Sequence, residues 1–132
     1  MGKSMSSLAG IKVMVIDDSN TIRRSAEIFL GQAGCTVILA EDGFDALAKI
    51  TDNHPDVIFV DVMMPRLDGY QTCALIKKNP RFKSTPVVML SSKDGLFDRA
   101  RGRMVGSDEY LTKPFTKDSL LAAVGTHATS AT

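Results

Sequence analysis

Val57-Ile58-Phe59-Val60-Asp61 is the stretch that decides how this chain folds. Its first four residues are apolar without alternation, the pattern of a strand covered by helices on both faces of a parallel sheet. An aspartate then ends the run. Two other segments repeat the plan. Val13-Met14-Val15-Ile16 runs into Asp17-Asp18, and Val87-Val88-Met89-Leu90 runs into Ser91-Ser92. Including Lys12, the first strand spans Lys12–Ile16. Two further strands are predicted at Thr36–Ala40 and Glu109–Leu111, the last followed closely by Lys113-Pro114.

Helical patterns separate these runs. Ile22, Ala26, Phe29, Leu30 and Ala33 form a stripe behind Ser19 or Asn20 as N-cap, and Gly34 closes it. Gly43–Asn53 is stopped by Pro55, and Gly69–Asn79 by Pro80. Asp94–Val105 forms a fourth helix weakened by Gly102, and Thr116–Thr126 a fifth. Five strand–helix pairs predict an α/β fold: a doubly wound, five-stranded parallel sheet with five helices in a single domain. The domain is expected over residues 10–127, with flexible segments at 1–9 and 128–132.

The bulk properties agree. A chain of 132 residues, 44% hydrophobic and 23% charged, suffices for one core. The net charge of +1 gives no bulk reason to expect nucleic acid or an anionic membrane. No stretch approaches a membrane span. Cys35 and Cys73 lack a zinc-type pattern and are expected to be reduced packing residues, which suits a cytoplasmic protein.

In doubly wound folds, ligands bind beyond the carboxyl ends of the strands. Four strands here deliver Asp17-Asp18, Asp61, Ser91-Ser92 and Lys113 to that edge. Singly, each has an ordinary explanation: a turn aspartate, an N-cap serine, a surface lysine. Their joint occurrence argues for a site. Clustered carboxylates repel unless a cation joins them, and Mg²⁺ favours such oxygen ligands. An aspartate can also attack phosphorus, given a metal, a fixed cation and a hydroxyl donor. Asp17/Asp18, Lys113 and Ser91 fill those roles around Asp61.

VMVIDDSNTIRR at 13–24, VIFVDVMMPRLDGY at 57–70, VVMLSSKD at 87–94 and DEYLTKPF at 108–115 resemble the receiver domains of two-component response regulators. The resemblance covers about residues 10–127. It implies a CheY-like (flavodoxin-like) sheet of order 2-1-3-4-5. It implies phosphorylation of Asp61, Mg²⁺ held directly by Asp18 and Asp61 and through water by Asp17, with Mn²⁺ as an alternative ion. Met63 would offer its backbone carbonyl to the metal. Ser91, with Ser92 beside it, would be the switch hydroxyl. Lys113 would pair with the phosphoryl group behind a cis Lys113–Pro114 bond. Tyr110 would turn inward or outward with phosphorylation. Pro65 and Gly69 match the loop after the acceptor, where glycine is expected to permit a tight turn. Met63 and Lys93 would flank the route of the hydrolytic water, and neither is an effective general base there.

The implied partners are a CheA-like histidine kinase as phosphohistidine donor and an effector protein on the fourth helix, fifth strand and fifth helix. Arg99, Arg101 and Arg103 on that helix read as a solvated face or as part of the docking surface. No nucleic acid, no membrane insertion, and a monomer or weak dimer are expected. The stretches 59–80 and 91–115 more narrowly resemble receivers of type IV pilus chemosensory systems, which implies a role in twitching motility. His54 and His127 are expected to be non-functional. Two alternatives remain: a receiver cut from a larger effector, and a metal-dependent phosphatase with an aspartyl nucleophile. Such phosphatases usually carry a second aspartate where this chain has Met63.

Overall fold

The computed structural model describes residues 8–92 and 96–130. The chain runs β1 (Lys12–Ile16), α1 (Asn20–Gln32), β2 (Thr36–Ala40), α2 (Gly43–Asn53), β3 (Val57–Asp61), α3 (Gly69–Lys78), β4 (Val87–Ser91), α4 (Leu96–Met104), β5 (Glu109–Thr112) and α5 (Lys117–Ser130). All strand pairs are parallel, in the order β2-β1-β3-β4-β5. The chain moves outward from β1 to β2, then crosses back to β3. The direction of winding therefore reverses at β1, beside β3.

The unbroken apolar runs are explained by alternation across two covered faces. Met14, Ile16, Ile58, Val60, Val87 and Met89 enter one core with Ala46 and Ile50 of α2 and Cys73 and Ile76 of α3. Val13, Val15, Val57, Phe59, Val88 and Leu90 enter the other, with Leu30 of α1 and Leu120 and Val124 of α5. Both cysteines are free and buried.

Local chemistry sets the helix ends. Ser19 caps α1, its side chain accepting from Ile22 N. Asp68 and Gln71 form a reciprocal capping box at α3. His54 ends α2 in the left-handed region at φ 44°. The predicted start of the fourth helix at Asp94 lies outside the described residues.

Helix and core reach into both segments expected to flank the domain. α5 continues to Ser130, and Ala128 is buried, where a tail from 128 was expected. Leu8, assigned to a flexible segment, is also buried in the second core. The small Gly125 leaves room for Leu8, whose Cδ2 lies 3.9 Å from the point a Cβ would occupy there. Among the described residues, no helix is long and apolar enough to cross a membrane.

Candidate functional site

The strand register assembles the site. Ile16 pairs with Val60, so the next residues, Asp17 and Asp61, lie beside each other at the sheet edge. Asp61 pairs with Leu90, which puts Ser91 one step beyond. Ser91 pairs with Thr112, and Lys113 follows, its N–H donating to the Ser91 carbonyl at 2.7 Å. The Lys113–Pro114 bond is cis.

Lys113 joins the carboxylates. Its Nζ lies 3.0 Å from Asp17 Oδ2 and 2.9 Å from Asp61 Oδ1. Asp17 is fully buried, and its other oxygen accepts from Ser19 N at 2.9 Å. Asp18 is exposed, and oxygens of Asp17, Asp18 and Asp61 all lie within 4.8 Å of one another. Burial pushes the Asp61 carboxyl up from 3.8 to about 6. Its hydrogen bond to Lys113 opposes the rise, while the charges of Asp17 and Asp18 add to it. Burial also works to lower the Lys113 ammonium, but its hydrogen bonds to Asp61 and Asp17 outweigh this and hold it above its ordinary value.

The other candidates take up different positions. Ser91 is buried at the end of β4, whereas Ser92 is exposed. The Met63 side chain is 62% exposed and Met64 is buried. Tyr110 is buried in the first core. Lys93 and the side chain of Phe97 lie outside the described residues. A cleft of about 520 Å³ opens beside Ser91, lined also by Met63, Pro65, Asp68, Tyr70 and Asp98.

Several residues take contacts that their sequence positions did not specify. Gly69 is needed for close approach rather than for its own turn conformation: a Cβ there would lie 2.2 Å from the Asp61 carbonyl oxygen. The left-handed residue of that loop is Arg66, at φ 68°. Arg101 lies over the Tyr70 ring at 4.3 Å and Arg99 over the Tyr110 ring at 5.3 Å. These two arginines are therefore not simply a solvated face. His127, expected to have no function, pairs with Glu109 at 2.5 Å. The glycine, the arginine pairs and the histidine all depend on distant backbone or side chains. Only the fold brings those together.

Residues 13–125 match the response regulator receiver domain family. This chain belongs to that family. It is 72% identical to Protein PilG of Pseudomonas aeruginosa over 123 residues, covering 93% of this chain and 91% of that protein. It is 38% identical to the response regulator MprA of Mycobacterium sp. strain KMS over 112 residues, 85% of this chain but 48% of that protein. Its structure is similar to that of the chemotaxis protein CheY4 of Vibrio cholerae. The TM-score is 0.87 at 34% identity, covering 90% of this chain and 99% of that one. As a receiver domain, the chain is a phosphoryl-accepting switch rather than an enzyme in the usual sense, and histidine kinases are the partners of its family.

Proposed function

We propose that this chain accepts a phosphoryl group on Asp61 from a CheA-like histidine kinase and thereby changes which protein it binds. The setting is a cytoplasmic chemosensory pathway controlling type IV pilus (twitching) motility. The observation that carries the acceptor role is Lys113, which holds both a fully buried aspartate and Asp61 within 3.0 Å at one sheet edge. The similarity to PilG supports the pilus setting.

The donor set suits a divalent cation. Three hard carboxylates converge with one lysine between two of them, leaving excess negative charge. Asp18, Asp61 and the Met63 carbonyl, with Asp17 behind them, would hold Mg²⁺ or Mn²⁺. When bound, that ion neutralises charge developing on the transferred oxygens.

An Asp61 oxygen attacks phosphorus in line while the phosphorus–nitrogen bond of the donor phosphohistidine breaks. The imidazole leaves with the electron pair and regains a proton. Lys113 pairs with the transferred oxygens, and the Ser91 hydroxyl donates to one of them. Movement of Ser91 toward the phosphoryl group alters the contacts of Tyr110 and so the face formed by α4, β5 and α5. The effector is a protein, and the chain acts as a monomer or weak dimer.

The test is transfer of labelled phosphate from an autophosphorylated kinase of a pilus chemosensory cluster. The wild-type chain should take the label and Asp61→Asn should not. Equal labelling of Asp61→Asn would remove Asp61 as acceptor. Labelling only by kinases of unrelated systems would remove the pilus assignment.

A further inference from the structure

We infer that Arg23 is a positioning residue for the acidic cluster, fixing the turn between β1 and α1 so that Asp17 and Asp18 face Asp61 in a cation-ready arrangement. This rests on the metal-dependent acceptor role proposed above. Asp17 N closes the strand ladder on the Ala40 carbonyl at 3.1 Å. One atom group further on, the Asp17 carbonyl accepts from Arg23 Nη1 at 2.5 Å. Arg23 Nη2 donates to Asn20 Oδ1, which braces the guanidinium from the first residue of α1. The Arg23 N–H donates to the Ser19 carbonyl at 3.0 Å, and Ser19 N donates to the Asp17 carboxylate at 2.9 Å. The half-buried arginine therefore ties helix, turn and carboxylate into one unit. A planar guanidinium can serve two acceptors at once in fixed geometry.

The sign of the effect separates positioning from charge. A cation near the cluster repels Mg²⁺, so simple loss of the Arg23 charge should tighten metal binding. Loss of a positioning contact should weaken it. Arg24 is exposed and offers the same charge change at the neighbouring position.

The experiment is calorimetric titration of Mg²⁺ into the wild-type chain, Arg23→Gln, Arg23→Lys and Arg24→Gln, with thermal unfolding of each without metal. Arg23→Gln should raise the Mg²⁺ Kd roughly tenfold. Arg23→Lys, which keeps a donor for the Asp17 carbonyl, should fall between it and wild type. Arg24→Gln should bind at least as tightly as wild type. An Arg23→Gln Kd equal to or below wild type would overturn the inference, whatever its unfolding temperature. If Arg23→Gln does not fold, Asn20→Ala decides, since it removes the brace and keeps the charge. Weaker Mg²⁺ binding by Asn20→Ala supports positioning, and unchanged affinity overturns it. A wild-type chain that binds no Mg²⁺ would instead remove the metal-dependent role, and the inference with it.

Discussion

Asp61 carries a carboxylate where burial disfavours its charge, and that cost should be measurable. Its pKa rises from 3.8 to about 6 on folding. Between these values the folded state keeps a proton that the unfolded chain gives up. Stability from this group is thus present at low pH and lost as pH rises through about 6. The loss is on the order of 2–3 kcal/mol. In the metal-free chain, Asp61→Asn should be more stable than wild type at pH 7 by about this amount, and the difference should shrink toward pH 4. Urea denaturation at both pH values measures it. Mg²⁺ affinity should fall below about pH 6, as protons compete for the same oxygens. Two residues on, the exposed Met63 side chain offers an attacking water only a weak acceptor and no basic group. The phosphorylated chain should therefore decay slowly, and Met63→Asn should accelerate the decay measured after donor removal. Asp17, Asp61 and Ser91 were legible in the sequence because each sits directly beyond an apolar run, and Lys113 because it closely follows a short predicted strand. Arg23 was not, because its partner is a backbone carbonyl that carries no residue signature.

Elements position these groups through close backbone approach. The start of α3 lies against the end of β3, with Gly69 N donating to the Val62 carbonyl at 2.9 Å. Gly69→Ala would drive a Cβ into the Asp61 carbonyl, and backbone cannot yield as a flexible side chain can. A loss of about 1–3 kcal/mol is expected by denaturant unfolding, with slower phosphorylation of Asp61 in the fraction that folds. At the far end, Leu8 and the last turns of α5 bury each other. Leu8→Ala should cost about 2 kcal/mol in the same measurement, whereas a flexible leader would show no effect. Strands and most helix boundaries follow from periodicity, caps and Pro55. The C-terminal half of α5 does not. Its small and polar residues lack a stripe, and the helix there enters the second core at Ala128 alongside Leu8.

At the scale of the whole molecule, parallel winding gathers residues from positions 17 to 113 onto one edge. The alternation of strands and helices was enough to predict the α/β class. The order β2-β1-β3-β4-β5 came with the family resemblance, since periodicity does not say which strands are neighbours. Function follows from that order: β1 and β3 must be adjacent for Asp17 and Asp61 to share Lys113. α4 carries Arg99 and Arg101 over Tyr110 and Tyr70, and Ser91, Tyr70 and Arg101 line the same cleft. The most direct measurement is intact-mass spectrometry of the chain incubated with Mg²⁺ and a small acyl phosphate donor. The expected result is one added phosphoryl group that is lost on chelation of the metal beforehand, maps to Asp61, and is absent from Asp61→Asn. A phosphoryl group gained equally by Asp61→Asn at the same site region, or none gained by wild type from either this donor or a cognate kinase, would contradict it.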